Sequence, residues 1–283
     1  MKGIVIPIGG NEDKGSIEYF GIDAIEDAIL FQILDKAQGP NSKVVVIPTA
    51  SSIPEEVGEL YVKGFNKLGC SDVTVLNIQS KKEANNPINT NIIKDSNCLM
   101  FSGGDQSRIK NIIGGSKIHE LILNKLNNEE FVLAGTSAGA MAMTNEMIAG
   151  GSATESLLKG AVKLYKGLGV LPEFIIDTHF VKRGRFGRLA EAVAAFPHLI
   201  GIGLSEDTGL IIINNEFEVI GSGMVIVFDP SNLTHNKHAQ LKPGTPISMS
   251  NLTTHIFARG DKFSIEDRKI EISKELDGNS CYL

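Results

Sequence analysis

The chain has 283 residues, 42% of them hydrophobic and 21% charged, and a net charge of −6 from 27 Lys+Arg and 33 Asp+Glu. That length and apolar content suit a full buried core and exclude a disordered or fibrous chain. The acidic balance excludes a nucleic-acid binder that works through phosphate contacts, and no apolar run approaches the roughly 20 residues that span a bilayer.

The apolar run Gly3–Ile8 at the N-terminus is too short for a signal-peptide core and is broken by Pro7. Cys70, Cys98 and Cys281 are odd in number and widely spaced, without a C-x-x-C arrangement. Reduced thiols in a soluble, cytoplasmic protein are therefore expected. Ile22, Ile25, Ile29 and Ile33 recur at helical spacing until Gly39-Pro40 stops them. Lys43–Pro48 is a continuous apolar run of the kind buried on both faces of a parallel sheet. Pro54–Leu68 reads as a helix ended by Gly69. Val73–Leu76, Cys98–Phe101 and Phe131–Ala134 are further strands, with helical segments between them. This alternation predicts an α/β fold, a mostly parallel sheet sandwiched by helices. Beyond Gly201 the texture turns antiparallel. Gly209–Ile213 and Phe217–Ile220 flank Asn214-Asn215-Glu216 as a hairpin, and Met224–Phe228 and Phe263–Ile265 continue the pattern. No linker, repeat or charge run divides the chain, so 1–283 reads as one domain.

Gly135-Thr136-Ser137-Ala138-Gly139 follows a strand and precedes a helix start, the setting in which G-x-S-x-G presents a nucleophile. The competing reading is a glycine-rich turn or a phosphate cradle, but a G-x-x-x-x-G-K-[ST] loop is absent. A serine needs a base. Of the six histidines, His119, His198 and His255 lack a distinctive setting, and His235 and His238 form an H-x-x-H without a third ligand, so no metal is expected. His179 stands at the end of Phe174-Ile175-Ile176-Asp177, where open α/β sheets bind ligands. The acid that would orient it is Glu206 or Asp207, both after the strand-like Ile200–Leu204, with Glu191 a weaker third. Arg183, Arg185 and Arg188 cluster just beyond His179; arginine suits bidentate contact with a substrate carboxylate, against the plainer reading of a solvated basic patch. Ser102-Gly103-Gly104-Asp105-Gln106 ends another strand, with backbone N–H groups able to join that of Ala138 in an oxyanion hole, or else it is a simple turn.

Several motifs stand in one order: Gly9-Gly10-Asn11-Glu12-Asp13-Lys14, Gly103-Gly104-Asp105-Gln106, Gly135–Ala140, Asp177-Thr178-His179-Phe180, Arg183-Gly184-Arg185, Arg188-Leu189 and Gly203–Thr208. Along nearly its whole length the chain resembles the serine peptidase family that contains the cyanophycinases and aspartyl dipeptidase. The resemblance implies a fold like that of class I glutamine amidotransferases, a homodimer, no metal or other cofactor, and a triad of Ser137, His179 and Glu206. It also implies a substrate, cyanophycin, whose polyaspartate backbone carries arginine on its side chains, and a product, the β-aspartyl-arginine dipeptide. Substrate contacts would then fall on Gln106, Asp177, Arg183, Arg185 and Arg188, and the oxyanion hole on Gly104 and Ala138. Thr178 departs from the glutamine that cyanophycinases carry before their histidine, which brings a dipeptidase on short aspartyl or isoaspartyl peptides into view. An acyl esterase would instead cleave simple p-nitrophenyl esters, and a binding protein would leave a serine-directed inhibitor unreacted.

Overall fold

The computed structural model describes residues 1–13, 28–151 and 156–274. Cys281, Lys14, Ile22 and Ile25 lie outside them. In chain order the elements are β1 (Ile4–Ile8), α1 (Ile29–Lys36), β2 (Val44–Ile47), α2 (Pro54–Lys67), β3 (Val73–Val75), α3 (Pro87–Asp95) and β4 (Cys98–Phe101). There follow α4 (Gln106–Ile112), α5 (Lys117–Asn128), β5 (Val132–Thr136), α6 (Ala138–Ala142), β6 (Glu146–Gly151), β7 (Val162–Lys166), β8 (Phe174–Asp177) and α7 (Phe186–Ala195). The last part is β-rich: β9 (Ile200–Leu204), β10 (Thr208–Ile213), β11 (Glu216–Gly221), β12 (Val225–Asp229), β13 (His235–Asn236), β14 (Met249–Ser250), β15 (Thr253–Phe257), β16 (Lys262–Ser264) and β17 (Ile270–Glu271).

The large sheet runs β17-β16-β11-β10-β1-β5-β4-β2-β3. The five strands from β3 to β1 are parallel, each bonded in register to the next. Their uninterrupted apolar runs have a physical reason: side chains on both faces are covered. Ile6, Ile8, Val44, Val46 and Met100 face Leu30 and Ile33 of α1 and Tyr61 and Phe65 of α2. Val5, Val45, Leu99 and Leu133 face the opposite way, onto Ile109 of α4, Ile118 and Ile122 of α5, and Phe174 of β8. Beyond β1 the sheet continues antiparallel through the β10–β11 hairpin, whose last pair, Ile213 and Glu216, leaves Asn214-Asn215 to turn the chain. The antiparallel texture read from the C-terminal sequence is thus present.

The strands around Phe174–Ile176 and Ile200–Leu204 depart from the expected single sheet. They pair with each other in parallel, and β12 and β15 extend them into a second, four-stranded sheet. β1 is already flanked by β5 and β10, so the large sheet has no edge there for β8 to join. The second sheet therefore lies over the first, with its apolar residues in the shared core. What matters for function is where the strands end. The C-terminal ends of β1, β4, β5, β8 and β9 carry Asn11, Gly103, Ser137, His179 and Glu206, which is where ligands bind on such sheets.

Candidate active site

Between β5 and α6 the chain reverses within one residue. Ser137 sits at φ 51, ψ −109, a conformation that L-residues avoid, and its N–H is held by the Ile8 carbonyl at 2.8 Å. The flanking glycines are required by close approach. A Cβ on Gly135 would stand 2.6 Å from the Met143 methyl, and one on Gly139 would stand 2.6 Å from the Phe101 carbonyl oxygen. The turn Ser102–Gly104 passes beside the serine, since a Cβ on Gly103 would lie 3.4 Å from Ser137 Cβ. Gly104, at φ +141, packs against the Ala50 carbonyl where no side chain fits. Gln106 donates to the Ile148 carbonyl at 2.8 Å, tying α4 to β6.

Ser137 Oγ lies 3.0 Å from His179 Nε2, and His179 Nδ1 lies 2.7 Å from Glu206 Oε1. An ionised carboxylate can only accept, so Nδ1 carries the ring proton and Nε2 offers its lone pair to the serine. The other oxygen of Glu206 accepts from Lys182 Nζ at 2.7 Å and from Asn11 Nδ2 at 3.1 Å. With Lys182 first and His179 next among the causes, the Glu206 pKa falls to about 2. His179 titrates below its ordinary value because it is buried, and the Arg183 and Arg185 charges push the same way against the pull of Glu206. The imidazole is therefore neutral near pH 7, the state a general base requires. The other two acids weighed from the sequence are engaged elsewhere. Asp207 accepts from Ser222 Oγ at 2.7 Å, with burial raising its pKa, and Glu191 accepts from the Gly160 and Val162 N–H groups.

The arginines separate into two kinds. Asp177 is fully buried, and Arg188 meets it with Nε at 2.6 Å on one oxygen and Nη2 on the other. Arg185 Nη1 reaches the same carboxylate at 3.1 Å and the Thr178 carbonyl at 2.6 Å, beside the His179 backbone. With the Thr178 N–H also on it, Asp177 has no face left for a substrate guanidinium. Arg183 is exposed. Thr178 is buried, with its hydroxyl on Met141 Sδ at 3.3 Å. Away from this site, His235 pairs with Ser248, and among the described residues no group of three His, Cys, Asp or Glu side chains could hold a metal.

Two features escaped the reading of the sequence. Glu12, 3% exposed, accepts from Tyr61 Oη and from Thr136 Oγ1, each at 2.5 Å, and so anchors the residue just before Ser137. Burial and then the Glu12 charge raise the Tyr61 pKa well above its ordinary value. The only signal for this was the acid inside Gly9–Lys14, with nothing to show that it points inward. Gly10 is the second feature. At φ +102, it leaves room for the imidazole: a Cβ would stand 2.4 Å from His179 Cε1 and 2.5 Å from Nε2. Gly10→Ala should therefore displace the ring and lower kcat/KM by about a hundredfold or more. Steady-state kinetics check this, and near-normal turnover would mean that the loop yields instead.

The sequence profile of Peptidase family S51 matches residues 22–220. The cyanophycinase of Trichormus variabilis is 33% identical over 270 residues, covering 95% of this chain and 88% of the relative. That of Geminocystis herdmanii is 33% identical over 265 residues, covering 93% and 94%. Among solved structures, a peptidase from an acI-B1 Actinobacterium superposes with a TM-score of 0.66 at 20% identity, over 93% of this chain and 97% of that one. A putative peptidase E protein from Listeria monocytogenes gives 0.51 at 18% identity, over 77% and 98%. At such identities the two structures speak for the fold alone. One-third identity along nearly the full length, together with the profile match, is a statement about descent: the chain belongs to Peptidase family S51.

Proposed function

We propose that this serine-type peptidase hydrolyses cyanophycin and releases β-aspartyl-arginine dipeptides, with Ser137 as nucleophile, His179 as base and Glu206 as the acid that orients it. The observation that carries the reading is the continuous relay from Ser137 Oγ through both ring nitrogens of His179 to Glu206, built on a strained elbow. Ser137 Oγ attacks the scissile carbonyl carbon while Nε2 takes its proton, and the imidazolium is held by Glu206. The Gly104 and Ala138 N–H groups stabilise the oxyanion. In support, the Gly103-Gly104 turn lies against Ser137, and the first N–H of α6 has no partner within its helix. His179 then returns the proton to the leaving amine, and water removes the acyl group by the same route. Arg183 meets substrate carboxylates from the open side, with Gln106 beside the cleft. Asp177, Arg185 and Arg188 form the wall behind it.

The fold reading is a class I glutamine amidotransferase-like arrangement, supported by the nucleophile elbow after a central parallel strand. The working form is a single-domain homodimer in the cytoplasm; among the described residues no helix is long and apolar enough to cross a membrane. A dipeptidase on short aspartyl or isoaspartyl peptides is the second reading, and Thr178 favours it. This short side chain is turned into the core where cyanophycinases carry glutamine. The test is to incubate purified protein with cyanophycin and, separately, with β-Asp-Arg, and to identify the products by mass. Soluble dipeptide released from the polymer, with β-Asp-Arg itself untouched, is the expected result. An inert polymer beside a hydrolysed dipeptide would transfer the assignment to the second reading.

A further inference from the structure

Lys182 follows His179 by three residues, in the turn that leads from β8 to α7. Its side chain is 66% exposed, yet its ammonium lies on Glu206 Oε2 at 2.7 Å. Asn11, from the loop after β1, donates to the same oxygen, so the two oxygens of Glu206 have different tasks. Oε2 is held from outside and Oε1 meets the imidazole. An exposed lysine–glutamate pair adds little to fold stability while immobilising a long side chain. Its place on this particular carboxylate therefore calls for another explanation.

We infer that Lys182 is a positioning residue: its ammonium fixes the rotation of the Glu206 carboxylate, so that Oε1 faces His179, and shares the negative charge the imidazole would otherwise meet alone. The inference rests on the triad reading above. Among the described residues, the polar and charged groups that face the pair come from three places. Lys182, Arg183 and Arg185 come from the β8–α7 turn. Asn11 and, deeper, Glu12 come from the loop after β1, with Glu12 turned to Tyr61 and Thr136. Asp207 comes from the β9–β10 turn, directed to Ser222. Among the described residues, only Lys182 places a positive charge on the outer oxygen. The sign of its effect follows. Without that charge the carboxylate stabilises the imidazolium more strongly, so His179 holds its proton to higher pH and less of it is neutral to act as base. A freely rotating carboxylate also orients the ring less well.

The experiment compares Lys182→Met, Lys182→Arg and Asn11→Gly with the unmodified protein and with Ser137→Ala. Glycine is the choice at position 11 because Asn11 has φ 55, which glycine adopts freely. The rate of labelling by a small fluorophosphonate is followed from pH 4 to 9, beside kcat, KM and Tm. Lys182→Met should move the acid limb of labelling upward by about half a pH unit. It should also lower the rate at neutral pH by about three- to tenfold, with Tm unchanged. Lys182→Arg should restore both, and Asn11→Gly should lower the rate to a smaller degree. An acid limb and rate unchanged in Lys182→Met would overturn the inference. So would a rise in KM alone, which would make Lys182 a substrate contact, or a rate loss that arginine does not rescue. Each of these outcomes leaves the triad standing, whereas labelling that survives in Ser137→Ala would sink the triad and this inference together.

Discussion

Ser137→Ala should lower peptide hydrolysis by on the order of 10⁴–10⁶-fold while the protein folds and melts normally. Ser137 Oγ is the atom to which His179 Nε2 is aimed, at 3.0 Å, and no other hydroxyl meets that nitrogen among the described residues. The backbone turn that presents it is held by the Ile8 carbonyl and by glycine contacts, none of which involves the hydroxyl. Alanine removes the hydroxyl and little else. Single-turnover assays and fluorophosphonate labelling should both fall to background, with the circular dichroism spectrum intact. Turnover at the original rate would exclude Ser137.

Asp177→Asn should be among the most destabilising substitutions in the chain. Its carboxylate is fully buried and is the shared counter-ion of Arg185 and Arg188, the latter 5% exposed. Neutralising it leaves two guanidinium groups facing each other in the core. Breaking a buried pair on one side typically destabilises by about 3–5 kcal/mol, which for a chain of this size lowers Tm by roughly 10 °C. Calorimetry checks the figure. Adding Arg188→Met should recover part of the loss, because it removes the uncompensated charge; additive losses would refute the coupling. Arg183→Ala, at the exposed position of the same cluster, should leave the unfolding free energy within about 0.5 kcal/mol of the original. It should still reduce kcat/KM by about tenfold, if Arg183 is the carboxylate contact.

The parallel half of the fold and the elbow could be read from residue order because their signals are local. A run such as Val44–Ile47 reports burial on both faces, and a serine between glycines after such a run reports a sharp turn. The Arg183–Arg188 cluster was visible in the same way, but its division was not. Spacing shows that three arginines are neighbours, while only the fold shows that Asp177 claims two of them. The second sheet was hidden for a similar reason. Nothing in Phe174–Asp177 or Ile200–Leu204 states that β1 has already filled both of its edges with β5 and β10. Lys182 carries no signal of its role in the sequence, since its partner lies 24 residues onward and on another strand end.

Positive φ angles at non-glycine residues gather at this site: Asn11 at 55, Ser137 at 51, His179 at 48 and Asp207 at 48. Each holds its segment in a conformation less favourable by on the order of 1 kcal/mol than the one a relaxed chain would choose. The surrounding packing must supply what these four positions withhold. At Ser137 and His179 durability and turnover are consequently opposed, because the substitution that would relax the backbone there removes a side chain of the site. Engineering for thermal tolerance should begin at the helices α1 and α5, which carry none of the side chains described at the site, so that gains in stability need not be set against chemistry.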